Sequence, residues 1–150
     1  MMGDYRLNIL LADDDLDDCL FFREALEEIP LETKLTTVND GVELMQFLRS
    51  SEKILPDAIY LDLNMPKKNG FECLSEIKKI KNLNHVPIFI YSTSFDPVVV
   101  NQLKVEGANH YIRKPAEFYN LKKVLHKSLE LLKDDKYTDL GRKQFIISEA

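Results

Sequence analysis

The sequence predicts an α/β protein in which five short strands alternate with five longer helices, the strands forming a parallel sheet covered by helices on both faces. Three observations carry that expectation. Short apolar runs recur between amphipathic segments with helical spacing, glycine or proline stands at most of the changeovers, and one run, Ile88-Phe89-Ile90-Tyr91, is apolar almost throughout. Alternation of this kind argues for βαβ units, and a continuous apolar run suits a strand buried on both faces.

The elements follow in order. Leu7 to Ala12 reads as a strand that runs into an acidic cluster. From about Leu16 to Ile29 the residues Phe21, Phe22, Ala25, Leu26 and Ile29 recur with helical spacing, and Pro30 stops the run. Thr33 to Val38 is rich in β-branched residues and reads as the second strand. Asn39-Asp40-Gly41 makes a turn that caps a helix over Val42 to Ser50, with Leu44, Phe47 and Leu48 on one face. Pro56-Asp57 leads into a strand over Ala58 to Asp62 that ends on a carboxylate. Met65-Pro66 and Asn69-Gly70 mark a loop before a helix of about Phe71 to Lys81. After the fourth strand, Asp96 suits a helix cap and Pro97 the first helical position, and Gly107 closes that helix. Asn109 to Ile112 reads as the last strand, and Lys114-Pro115 turns into a helix over Glu117 to Lys133.

The 150 residues suffice for one core of ordinary size. A single domain over 6–133 is expected, with 134–150 as a C-terminal tail that either frays or forms a short docking element. No apolar run approaches the roughly 20 residues of a membrane helix, and the first residues lack an apolar signal core. Cys19 and Cys73 have no paired spacing and read as reduced thiols, while His85, His110 and His126 lack metal-ligand spacing. The net charge of −5 disfavours binding to the phosphates of nucleic acid. A cytoplasmic protein with protein partners is the expectation, with neither membrane nor nucleic acid among them.

In open parallel sheets, functional groups collect at the carboxyl ends of the strands. The first strand runs into Asp13-Asp14-Asp15, the third into Asp62, the fourth into Ser92-Thr93-Ser94, and Lys114 follows the fifth. In the strand order 2-1-3-4-5 these residues converge on one pocket. Clustered carboxylates repel and raise one another's pKa values, a conflict that a hard cation such as Mg²⁺ removes. An aspartate is also able to act as a nucleophile and form an acyl phosphate. The spread charge of a transferring phosphoryl group is stabilised by metal and ammonium, roles that Mg²⁺ and Lys114 fit. Three acids before a helix also serve as caps and favourable helix-dipole charges, so the cluster alone does not decide.

The order of these residues resembles the bacterial response-regulator receiver family, the CheY-like proteins, over about residues 6–133. Leu-Leu-Ala-Asp13-Asp14 sits at that family's acidic pair, and Leu61-Asp62-Leu63-Asn64-Met65-Pro66 with Asn69-Gly70 at its phosphoacceptor stretch. Pro87 to Ser92 ends on its hydroxyl position, and Tyr111-Ile112-Arg113-Lys114-Pro115 holds its aromatic and lysine positions. The Lys67-Lys68 loop and the absence of an output domain resemble stand-alone regulators of the phytochrome-associated type. The resemblance implies a flavodoxin-like, three-layer (βα)5 fold with sheet order 2-1-3-4-5. It further implies a phosphorelay switch of a two-component system, which catalyses its own phosphorylation and dephosphorylation without being a turnover enzyme.

By position, Asp62 would accept a phosphoryl group from a histidine kinase or histidine phosphotransfer protein. Asp13, Asp14, Asp62 and the backbone carbonyl of Asn64 would place Mg²⁺. Lys114 and Ser92 would contact phosphoryl oxygens, with Ser92 and Tyr111 as the switch pair. The readout implied is the face of the fourth helix, fifth strand and fifth helix, which also offers a route to a homodimer. Ser92 stands where threonine is more usual, and Asp15 adds a third acid that suits the helix cap. One rival is a haloacid-dehalogenase-like phosphatase, but the general-acid position two residues after Asp62 is Asn64. A second is a receiver that works as a scaffold without phosphorylation.

Overall fold

The computed structural model of the chain describes residues 6–50, 55–133 and 144–149. Its elements are β1 (Leu7–Ala12), α1 (Leu16–Glu27), β2 (Thr33–Val38), α2 (Gly41–Ser50), β3 (Ala58–Leu61), α3 (Gly70–Lys79), β4 (Ile88–Ser92), α4 (Pro97–Val105), β5 (His110–Arg113), α5 (Phe118–Lys133) and β6 (Ile146–Ile147). The strands pair in parallel in the order β2-β1-β3-β4-β5-β6. The flavodoxin-like architecture expected of the sequence is therefore present.

Successive strand side chains point to opposite faces, and both faces are buried. Ile9, Leu11, Tyr60, Phe89 and Tyr91 meet Phe22 and Leu26 of α1 and Leu121 and Leu125 of α5. Leu10, Ile59, Leu61, Ile90 and Tyr111 meet the inward residues of α2, α3 and α4, among them Leu44, Leu74 and Leu103. That double burial is why these strands read as apolar runs and not as alternating ones.

The helix starts behave as their residue types require. Asp15 caps α1 by accepting from the backbone N–H groups of Asp17 and Asp18. Asn69 and Glu72 form a reciprocal capping box on α3, and Asp96 caps α4 with Pro97 in the first turn. Gly107 leaves α4 at φ +111°, a conformation open mainly to glycine.

The structure adds one strand to the expected five. Within the segment set apart as a tail, residues 134–143 lie outside the described residues, but 144–149 return to the sheet. Tyr111 N–H donates to the Phe145 carbonyl at 2.8 Å, and Ile147 is buried against the α1/α5 layer. Lys127 Nζ donates to the Ser148 carbonyl at 2.6 Å, and His110 Nδ1 lies 2.9 Å from the Gln144 carbonyl. This stretch takes the form of a docking element on the domain's own edge. A two-residue strand is too short for periodicity to reveal. Among the described residues no helix is long and apolar enough to cross a membrane.

Candidate functional site

Register brings the acids together. Ala12, the last residue of β1, pairs with Val38 on one side and Leu61 on the other. The next backbone hydrogen bonds run from Asp13 N–H to the Val38 carbonyl and from Asp62 N–H to the Ala12 carbonyl, each 3.0 Å. Asp13 and Asp62 thus leave the sheet side by side. Gly70 permits the loop behind Asp62 to fold back: a Cβ there would lie 2.4 Å from the Asp62 carbonyl oxygen and 2.8 Å from Leu63 Cα. Gly70 N–H instead donates to the Leu63 carbonyl at 2.9 Å. Between them, Lys67 adopts φ +69° and Lys68 N–H closes on the Pro66 carbonyl at 2.7 Å. This is the rarer, strained form of γ-turn, stored directly beside the acid pocket.

Asp13 and Asp62 are buried, while Asp14 is exposed at the pocket mouth. Carboxylate oxygens of Asp13, Asp14 and Asp62 lie within 4.8 Å of one another. Lys114 reaches in from the turn after β5, with Nζ 2.8 Å from Asp13 Oδ2, 2.9 Å from Asp18 Oδ2 and 3.6 Å from Asp62 Oδ2. Its backbone N–H donates to the Ser92 carbonyl at 2.8 Å, which fixes the turn to the end of β4.

Burial, with Asp13 close by, pushes the Asp62 carboxyl up to about 7 against the pull of Lys114. Burial also raises Asp13. Burial alone would lower Lys114, but its contacts with Asp13 and Asp18 outweigh that and hold the ammonium charged. One cation therefore faces more carboxylates than it can neutralise. Asp13 Oδ2 is buried without a hydrogen-bond donor despite its ion pair with Lys114. An all-oxygen set with surplus negative charge and an unmet buried oxygen fits a hard divalent cation such as Mg²⁺.

The other expected residues fall nearby. Ser92 is fully buried, its Oγ 3.1 Å from Ser94 Oγ and accepting from Ser94 N–H at 3.3 Å. The Tyr111 ring is buried, and its hydroxyl donates to the Ser94 carbonyl at 2.5 Å. Ser92 and Tyr111 thus both end on Ser94. Asn64 lies exposed two residues past Asp62, with its backbone N–H directed at the Asp62 carboxylate. Asp15 caps the helix, as its place before Leu16 suggested.

Sequence reasoning passed over three neighbours. Asp18 reads as an ordinary first-turn acid, yet it holds Lys114. Tyr91 reads as core, yet its ring centroid lies 5.3 Å from Lys114 Nζ. Asn39 reads as a turn residue, yet its Nδ2 donates to the Asp13 carbonyl at 3.0 Å. Only tertiary structure reveals these roles: β1 pairs with β2, β4 with β5, and α1 comes to lie against the turn after β5.

A parallel sheet with this pocket at its carboxyl edge defines a class, and comparison supplies its name. The chain belongs to the response regulator receiver domain family, which matches residues 9–126. It is the receiver domain of a two-component response regulator. Among individual proteins it is similar to the response regulator Rcp1 of Synechocystis, 32% identical over 124 residues, covering 78% of this chain and 82% of that protein. The crystal structure of the phosphorylated cyanobacterial phytochrome response regulator RcpA superposes with TM-score 0.79 at 32% identity, covering 86% of this chain and 95% of the other. The Mn²⁺-bound form of Rcp1 gives TM-score 0.73 at 30% identity over 81% of this chain and 90% of that one.

Proposed function

We propose that the chain accepts a phosphoryl group on Asp62 from a phosphohistidine of a histidine kinase or phosphotransfer protein, in a Mg²⁺-dependent reaction in the cytoplasm. The observation that supports this most is the meeting of buried Asp62 with Asp13 and the Lys114 ammonium, drawn from three different strand ends. An Asp62 carboxylate oxygen attacks phosphorus, the P–O bond forms as the P–N bond breaks, and the imidazole leaves with a proton taken from solvent. Lys114 stabilises charge on a phosphoryl oxygen, and Ser92 Oγ turns from Ser94 to another. Asp13, Asp14, Asp62 and the Asn64 carbonyl would hold Mg²⁺, which when bound neutralises charge on the phosphoryl oxygens. Leu16 and Leu20, 70% and 54% exposed on α1, offer the donor protein apolar surface beside the pocket. The RcpA and Rcp1 structures, one phosphorylated and one Mn²⁺-bound, agree with this reading. The chain then acts as a switch, its own residues assisting both gain and loss of the phosphoryl group.

The signal leaves through Ser94. Drawing Ser92 Oγ onto the phosphoryl group frees Ser94, whose carbonyl anchors the Tyr111 hydroxyl. Tyr111 packs on the α4 side of the sheet, so the α4-β5-α5 face changes and becomes the surface for a downstream protein or a second copy. A hydrogen bond to a charged oxygen contributes about 1.5–3 kcal/mol. Shifting a two-state equilibrium from mostly off to mostly on takes about 5.5 kcal/mol. Ser92 alone is insufficient, so Lys114 and the 93–95 loop share the task.

The test is exposure of wild type and Asp62→Asn to a small phosphodonor, and separately to beryllofluoride, each with Mg²⁺. The proposal expects Mg²⁺-dependent modification of wild type only, and size-exclusion or spectroscopic change with the mimic. Equal labelling of the mutant would place the phosphoryl group elsewhere. No labelling of either, with an unchanged partner interaction, would favour the phosphorylation-independent scaffold.

A further inference from the structure

Lys114 has three carboxylates around its ammonium, and they are not equivalent. Its contact with Asp18 Oδ2 at 2.9 Å has hydrogen-bond geometry, whereas Asp13 Oδ2 at 2.8 Å is left without a hydrogen-bond donor and Asp62 Oδ2 stands off at 3.6 Å. Asp13 and Asp62 belong to the oxygen set that suits a cation, and Asp18 does not. Asp18 is itself held in place, since its backbone N–H donates to the capping carboxylate of Asp15 at 3.1 Å. The Tyr91 ring, 5.3 Å from Nζ, closes the other side and is fixed by an edge-on contact with Phe22 of α1 at 5.4 Å. The Lys114 side chain is only 8% exposed, so little water competes for its protons.

We infer that Asp18 is a positioning residue for phosphoryl transfer: it holds the Lys114 ammonium against the Tyr91 ring and beside Asp62. This inference rests on the proposed role of Asp62 and goes beyond it. When Asp13 and Asp62 turn to a cation and a phosphoryl group, both lose their claim on Lys114. Asp18 then remains its one carboxylate partner outside the metal set among the described residues. An ammonium on a flexible four-carbon stem has many rotamers, and a fixed acceptor removes most of them before the donor arrives. The bland alternative is an ion pair that merely ties α1 to the turn after β5. That role would show in stability and not in the rate.

The test compares initial rates of phosphorylation by a small phosphodonor at saturating Mg²⁺ for wild type, Asp18→Asn, Asp18→Glu, Lys114→Ala and the Asp18→Asn/Lys114→Ala pair. Asp18→Asn is expected to slow the reaction roughly tenfold, a loss typical of a mispositioned group. Asp18→Glu recovers part of the rate, and adding Asp18→Asn to Lys114→Ala causes no further loss. A wild-type or faster rate in Asp18→Asn, or the same factor lost with Lys114 already gone, would overturn the inference. A second readout uses the unmodified protein. The Lys114 ammonium resonance, assigned with Lys114→Arg, should stand apart from those of the other lysines and move toward them in Asp18→Asn; an unmoved resonance counts against the inference. Because it needs no phosphorylation, this readout still reports on Asp18 if the labelling experiment fails at Asp62 itself.

Discussion

Asp62 is costly to the molecule that carries it. Its carboxyl is raised from 3.8 to about 7, first by burial and then by Asp13. Between those two pH values the folded state binds more protons than the unfolded chain, so stability falls as pH rises from about 4 to about 7 and stays lowered above that. Asp62→Asn removes the penalty. Without metal, the mutant should be more stable than wild type by roughly 2 kcal/mol at pH 8 and level with it near pH 4, as urea unfolding would measure. A mutant no more stable at pH 8 would mean that Asp62 is not strained by its surroundings. Asp13, Asp14, Asp62, Ser92 and Lys114 were legible in the sequence because each sits at a strand end, where open sheets gather function. Asp18 and Tyr91 were not. Their residue types have ordinary duties in a first helical turn and a buried strand, and only tertiary contact with Lys114 gives them another.

At the scale of elements, the strands and helices declared themselves through double burial, caps and punctuation. Helix ends shifted by a residue or two, as at α1, where Glu28 closes the helix before the expected Ile29. β6 escaped notice because two residues carry no period and its partner, β5, is remote in sequence. The structure gives it more than a peripheral role. The strand and the two residues before it receive the Tyr111 N–H at Phe145, bury Ile147 and place the Gln144 carbonyl beside His110, whose burial favours the neutral ring. Ile147→Ala should therefore lower stability by about 2 kcal/mol in urea unfolding, as expected for a buried aliphatic side chain. A loss too small to measure would mean that β6 only rests on the edge. The strand covers the outer edge of β5, with Lys104 of α4 over Phe145 and Lys127 of α5 bonded to Ser148, so a partner approaching the α4-β5-α5 face would meet β6 itself, with Ile146 47% exposed.

Taken whole, the molecule is a rigid sheet with an overcharged pocket at one edge and a buried tyrosine linking that edge to one flank. Such a pocket should respond to a cation before any phosphoryl group arrives. A cation that binds only the folded state stabilises it, so on the proposed reading millimolar Mg²⁺ should raise the unfolding temperature at pH 8, and Asp13→Asn should reduce that rise. An equal rise in the mutant would place the cation elsewhere. The proposal that the phosphoryl group sits on Asp62 is narrower. Its most direct test is to phosphorylate the protein with a small donor and Mg²⁺, reduce the acyl phosphate with borohydride and map the peptides by mass. Homoserine is expected at position 62 and nowhere else. An unaltered Asp62, with homoserine at Asp13 or Asp14 or with phosphate on a hydroxyl, would contradict it.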